Sequence, residues 1–315
     1  MNWLEKIICK LCPNLIQEKN EYNEVLKQQK AILERILNNS IKIREELHNT
    51  CLDVKKVRVE LHDEHLRVNE LYDKLNKVYD KLNKQVNIDN EIKRAVDETV
   101  WAAIFKDTIQ NSEWLKDKSL SLGRWAIGYP CAYALYRVLN ELHPERVLEL
   151  GLGQSTKIIS QYTDRYKIQK HLVIEHDQNW IDFFEKNYTI PQNTKIAHCP
   201  LIYKNYKNVE GIRQFENFDN EIKDEKFELI MIDAPFGGDM PEFARVDVLK
   251  NMPKCLSESF VIIFDDCNRK GELHTFEEMK KILDENSVVY KTGTYKGDKT
   301  IKVICSENNG FVTSM

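Results

Sequence analysis

The sequence predicts an α/β protein: a doubly wound, seven-stranded, mostly parallel sheet of Rossmann-like type, preceded by a long N-terminal coiled-coil helix. Three observations carry this reading. Residues 20–90 contain no Gly and no Pro and repeat apolar side chains every seven positions. From residue 146 onward, short apolar runs alternate with helical patterns, as parallel strands joined by helices require. The first of those runs, Arg146-Val-Leu-Glu-Leu150, opens directly into Gly151-Leu-Gly153 and a helical stretch. A strand turning sharply into a helix needs glycine both for the turn and for close approach of a ligand.

Composition bounds the rest. The 315 residues suffice for one large domain plus an extended element. With a net charge of −4 there is no basic excess to mark a nucleic-acid binder. Of eight cysteines only Cys9 and Cys12 are closely spaced, and no second pair completes a zinc site, so reduced thiols and a cytoplasmic location are expected. No apolar run is long enough to span a bilayer.

Residues 1–17 form an amphipathic segment, with Trp3, Leu4, Ile7, Ile8 and Leu11 able to share a helix face. Its apolar run is too short and too interrupted by charge for a signal peptide. It docks on protein, or it lies on the inner membrane surface as a peripheral contact; docking is the preferred reading.

Residues 18–92 read as the coiled coil. Leu26, Leu33, Leu47, Val54, Leu61, Val68, Leu75 and Leu82 form one seam series, and Ile36, Ile43, Val57, Leu71 and Val78 follow three positions later. Ser40, Thr50 and Glu64 interrupt the seam, and Tyr-Asp-Lys-Leu-Asn-Lys occurs at 72–77 and again at 79–84. A helix of this length, about 100 Å, cannot bury its own stripe. Self-association as a dimer or trimer supplies the partner, a hairpin of the helix on itself being the rival arrangement.

Residues 93–143 read as a helical linker or cap. Val96, Val100, Trp101, Ile104 and Phe105 give one apolar face, and Gly123, Gly128 and Pro130 mark a loop at 121–130. Arg124 and Trp125 in that loop either touch ligand or pack. A helix over 131–142 follows. Within 144–315, strands are expected at 146–150, 171–175, 194–198, 227–233, 259–265, 287–292 and 300–305, the last antiparallel. Helical patterns fall at 179–186, 242–251 and 272–285.

In such sheets ligands sit beyond the carboxyl ends of the strands. Glu149 ends the first strand, and Gln154 and Ser155 open the following helix, whose N-terminus offers free N–H groups. Glu175 ends the second strand, 24 residues after Gly151, where a carboxylate can accept both hydroxyls of a ribose. His176 and His198 either line the site or are simply half exposed. Asp233 ends a third apolar run and Asp265-Asp266 a fourth, on strands expected to be neighbours. Clustered carboxylates hold a cation or share a proton. Asp233, Asp265 and Asp266 with the Asn268 oxygen suit Mg²⁺ or Mn²⁺, or one Asp serves as a general base without metal, or the acids cap the helices that follow.

These residues resemble a class I S-adenosylmethionine-dependent methyltransferase. Glu149-Leu-Gly151-Leu-Gly153 is similar to the family's first motif and Glu175 to its ribose-binding acid, over about residues 121–315. Leu150-Gly-Leu-Gly-Gln-Ser-Thr, Val173-Ile-Glu-His-Asp-Gln-Asn-Trp-Ile, Asp233-Ala-Pro-Phe-Gly, Arg245 and Asp266-x-Asn-Arg-x-x-Glu272 resemble, in order and spacing, the plant glucuronoxylan 4-O-methyltransferases and methyltransferases of bacterial capsule and O-antigen clusters. After the third strand the family's adenine-contacting acid is replaced by His198-Cys199.

The resemblance implies methyl transfer from S-adenosylmethionine to a hydroxyl of a sugar or polysaccharide. Glu149, Gly151, Gly153, Gln154, Ser155, Glu175, His176 and Asp233 would then hold the cofactor. Asp233, Asp265 and Asp266 would activate the acceptor, directly or through a metal ion. Arg124, Arg245, Asn268 and Arg269 would bind an acidic sugar, because guanidinium forks match carboxylates, unless Arg245 and Arg269 serve only in internal ion pairs. The rival reading is a coiled-coil scaffold of a polysaccharide-biosynthesis complex, with a weakly active or inactive methyltransferase fold.

Overall fold

The computed structural model describes residues 30–315, with side chains from Ser40 onward except Ile41; the amphipathic segment 1–17 and Leu26 lie outside the described residues. The chain divides into two compact units, one ending at Lys84 and one covering Gln85–Met315. Helix α1, Lys30–Thr108, runs unbroken through 79 residues, so no hairpin is adopted among the described residues. The absence of Gly and Pro explains the continuity, since nothing interrupts the i to i−4 ladder. None of the described helices is long and apolar enough to cross a membrane.

In the second unit the last turns of α1 are tied to the sheet domain. Glu98 accepts the backbone N–H groups of Tyr129 at 2.7 Å and Asp298 at 2.9 Å. Trp101 donates its indole N–H to the Lys296 carbonyl at 2.8 Å, and Phe105 is buried. Irregular chain from residue 109 leads into α2 (Tyr129–Leu142).

The domain then alternates: β1 (Arg146–Leu150), α3 (Gln154–Tyr166), β2 (Lys170–Glu175), α4 (Gln178–Asn187), β3 (Thr194–His198), the hairpin β4 (Leu201–Tyr206) and β5 (Val209–Phe215), the short α5 (Phe218–Ile222), β6 (Phe227–Ile232), β7 (Leu256–Phe264), α6 (Lys270–Glu285), β8 (Tyr290–Lys296) and β9 (Thr300–Ser306). The main sheet has the order β3-β2-β1-β6-β7-β9-β8. It is parallel except for β9, which runs antiparallel to both β7 and β8. The seven expected strands are therefore present, with the last antiparallel.

Two expectations fail. The helix expected at 242–251 is only a 3₁₀ turn, Asp247–Asn251, because Arg245 adopts a left-handed φ of 59° and breaks any helix there. The β4–β5 hairpin has no counterpart among the expected elements. Its strands alternate weakly and its exposed Lys and Asn residues look like loop; Lys207 at φ 52° makes the turn.

The sheet is buried on both faces, which explains its continuous apolar runs. Alternation still sorts residues by face. Leu148, Ile174, Ile230 and Ile262 pack with Phe276 and Met279 of α6 and with the hairpin. Val147, Met231, Ile263 and Val303 pack on the other side with Leu135 of α2 and Ile158 of α3.

Candidate functional site

The carboxyl ends of β1, β2, β6 and β7 open into one cleft of about 380 Å³. Two wider hollows, of about 510 and 720 Å³, lie beside the β4–β5 hairpin and against α3, away from these strand ends. Among the residues proposed from sequence, Gly151, Gly153, Gln154, Ser155, Glu175, His176, Asp233, Asp266, Arg124, Arg245 and Arg269 all line the cleft.

The β1 turn fixes one wall. Gly151 has φ 103°, a region that disfavours any side chain, and an added Cβ would lie 3.0 Å from the Cβ of Ala234. A Cβ on Gly153 would meet nothing within 4 Å, so that position borders open space. Gly153, the cap residue of α3, has no side chain to accept an N–H, the Thr156 hydroxyl accepts the Gly153 N–H at 2.9 Å, and Ser155 faces the cleft. The side-chain amide oxygen of Gln154 accepts the N–H of Ser121 at 3.0 Å, which straps the 121–128 loop over the cleft.

Glu175 forms the adjoining wall. Its Oε2 accepts the Leu152 N–H at 3.0 Å, and its Oε1 accepts those of His176 at 2.7 Å and Asp177 at 2.9 Å. Burial pushes this carboxyl toward its neutral form, but His176 and the backbone donors outweigh burial and hold its pKa below the usual range. The nearby Glu175 carboxylate raises the pKa of His176 in turn. Trp180 lines the same wall and donates to the Leu152 carbonyl at 2.8 Å.

The opposite side is an ionic cluster. Asp233, Asp265 and Asp266 bring carboxylate oxygens within 4.8 Å of one another. Arg245 lies 2.7 Å from Asp266, 3.4 Å from Asp233 and 4.0 Å from Glu272. Lys299 lies 3.4 Å from Asp265 and 3.5 Å from Asp266, and Arg269 lies 2.9 Å from Asp266 and 3.3 Å from Glu272. Four carboxylates thus face three cations, and one proton neutralises the group. Burial and the neighbouring Asp265 raise the pKa of Asp233 well above the carboxylate range. Burial also raises Asp265, whose Oδ1 has no hydrogen-bond partner. Burial acts on Asp266 as well, but Arg245, Lys299 and Arg269 together hold its pKa down. Asp233 is the most exposed acid of the cluster, with 19% of its side chain exposed, and it lines the cleft.

This arrangement does not suit a divalent ion. Mg²⁺ or Mn²⁺ would need carboxylate oxygens at roughly 2.0–2.2 Å. The guanidinium of Arg245 and the ammonium of Lys299 already neutralise those oxygens from inside the cluster.

Several proposed residues take other roles. Arg245 does not reach for an acidic sugar. Its side chain is 2% exposed, and it donates to the carbonyls of Pro235 and Asp265 as well as to Asp266. Glu149 does not reach the cleft: it is fully buried against Nε2 of His171 at 3.0 Å, on the neighbouring strand. Asn268 is exposed outside the cleft and accepts the Thr300 N–H. Asp265 is buried behind the lining residues. His198 bonds the His176 carbonyl at 2.9 Å, and Cys199 is buried.

Sequence reasoning missed Lys299, Trp180 and Phe236 as cleft residues. Lys299 has no local signal. It arrives because β9 starts beside the end of β7, where Cys267 N–H bonds the Thr300 carbonyl. Lys299 also donates to the Ala126 carbonyl, joining the 121–128 loop to the acids. At the mouth, Trp125 is 85% exposed and its ring centre lies 6.0 Å from that of Phe236. Arg269 lies over the Phe236 ring at 5.6 Å.

No family model matches the chain, and no curated protein matches it. Solved structures do. One described as a candidate caffeoyl-CoA O-methyltransferase of Staphylococcus aureus is 13% identical with a TM-score of 0.39, over 71% of this chain and all of that one. One described as a candidate O-methyltransferase of Klebsiella pneumoniae is 15% identical with a TM-score of 0.40, over 66% and 98%. The S-adenosylhomocysteine-bound methyltransferase PaMTH1 of Podospora anserina is 14% identical with a TM-score of 0.38, over 65% and 86%. The chain is similar to these methyltransferases only remotely, and at such scores its own site residues must carry any functional reading.

Proposed function

We propose that this protein transfers a methyl group from S-adenosylmethionine to a hydroxyl of a sugar or polysaccharide. The observation that carries this reading is one cleft in which the Gly151–Gly153 turn, the Glu175 carboxylate and the raised-pKa Asp233 converge.

The residues present fit the cofactor. Gly151 leaves a cradle that a Cβ would fill, Gly153 borders open space, and the first turn of α3, beyond the Gly153 N–H that Thr156 takes, offers N–H donors. Glu175, ionised and fixed by three backbone donors, is suited to accept ribose hydroxyls. The cofactor, when bound, supplies an electrophilic methyl group on a sulfonium centre. Asp233 takes the acceptor's proton, because a base with an elevated pKa removes a hydroxyl proton more readily than an ordinary carboxylate. Arg245 and Lys299 hold the surrounding acids in place, and Arg245 lies within 3.4 Å of Asp233. No step is assigned to a metal ion.

Support for a sugar acceptor comes from the mouth. The exposed Trp125 ring presents an apolar face that suits the C–H face of a pyranose, and Arg124 lines the same mouth as a donor for polar or acidic substituents. Calorimetry with S-adenosylmethionine, followed by mass spectrometry of glycans treated with enzyme and labelled cofactor, tests the proposal. Absence of cofactor binding would leave the scaffold reading in its place.

A further inference from the structure

Helix α1 up to Lys84 carries an apolar stripe that nothing among the described residues of its own unit covers. From Val57 to Leu82 every apolar seam residue is more than half exposed. A single helix cannot hold such a stripe in water without a partner. We propose that the partner is a second copy of this chain, paired antiparallel, with the two-fold axis passing between His62 and Asp63.

The flanking charges decide the orientation. The positions immediately preceding each first-series seam residue are Glu46, Asp53 and Glu60, then Arg67, Lys74 and Lys81. They are acidic in the first half and basic in the second. In an antiparallel coil these positions face their own kind on the partner. Glu46 then meets the partner's Lys81, Asp53 the partner's Lys74, and Glu60 the partner's Arg67, each contact occurring twice by symmetry. All six charges are satisfied. In a parallel in-register coil they would instead face the following heptad's flank. Asp53 would meet Arg58 and Glu60 would meet His65, while Lys74 would face Tyr79 and Arg67 would face Tyr72.

The seam agrees. Parallel pairing sets each seam residue against its own copy, placing Glu64 against Glu64 inside the core, where like charges repel at close range. Antiparallel pairing sets Glu64 against the partner's Leu61, and Val57 against the partner's Val68. The Glu64 stem can lie along leucine while its carboxylate reaches the rim.

Sedimentation of the full-length chain tests the state, and charge reversal tests the orientation. Wild type is expected to sediment as a dimer. The E46K/D53K/E60K variant places only cations along that flank, and its dimer dissociation constant should rise on the order of 100-fold. Mixing it with R67E/K74E/K81E should restore a tight heterodimer, because every antiparallel flank contact is then between opposite charges. A mixture of V57C and V68C chains in a C51S background should form disulfide links between positions 57 and 68 on oxidation, identified by mass spectrometry of joined peptides. A wild-type monomer or trimer, no rescue on mixing, or links joining position 57 of one copy to position 57 of the other in V57C alone would each overturn the proposal.

Discussion

The backbone N–H of Leu152 donates to Oε2 of Glu175 at 3.0 Å, joining the glycine turn after β1 to the acid that ends β2. The two halves of the proposed cofactor wall are therefore one hydrogen-bonded unit. Glu175→Gln replaces an ionised acceptor with a neutral amide beside three N–H donors. It should weaken S-adenosylmethionine binding at least about tenfold, read by calorimetry.

Gly151→Ala should damage the same wall from the other side. Its φ of 103° opposes a side chain, and the new methyl would press on Ala234. A stability loss of about 1–3 kcal/mol is expected, with loss of cofactor binding, measurable by chemical denaturation and calorimetry.

Asp233 is expected to act as base, so activity should rise with pH as it deprotonates. Because its pKa is raised, the rising limb should lie above the ordinary carboxylate range. Asp233→Asn should lower the rate on the order of 10²–10⁴-fold while leaving cofactor affinity within a few-fold. Equal loss of both would contradict the assigned role.

Lys299 is the cation with no sequence signature. Lys299→Met removes the partner of Asp265 and one partner of Asp266, leaving buried acids short of a counter-charge. A loss of about 3 kcal/mol is expected in urea unfolding. Similar stability in the variant would show that the cluster already carries more protons than proposed.

Asp247 offers a pH test away from the cleft. It is buried, its Oδ2 has no partner, and burial raises its pKa to about 7. The folded state then holds this proton between about pH 4 and 7, where the unfolded chain has released it. Stability should therefore fall as pH rises through that window and level off above it. Asp247→Asn should flatten that slope, worth on the order of 4 kcal/mol, in denaturation curves taken at several pH values.

Much of the sheet was legible because buried parallel strands need unbroken apolar runs, and such runs stand out in any window. The hairpin at 201–215 stayed hidden because its strands are half exposed and carry Lys and Asn at outward positions. The helix expected at 242–251 failed for a local reason with a tertiary origin. Arg245 at φ 59° and Asp266 at φ 61° are both held in the left-handed region, and their 2.7 Å pairing is part of what holds them.

The sequence by itself determined the long uninterrupted helix, the glycine turn, Glu175 and the convergence of Asp233 with Asp265 and Asp266. Each of these follows from periodicity or from a strand's end, which are properties of neighbouring residues. Only the tertiary structure decided that Arg245 is spent inside the protein, that Glu149 is buried against His171, and that Lys299 enters the acid cluster. Those outcomes depend on which strands lie side by side and in which direction, and a buried charge goes where another strand supplies its partner.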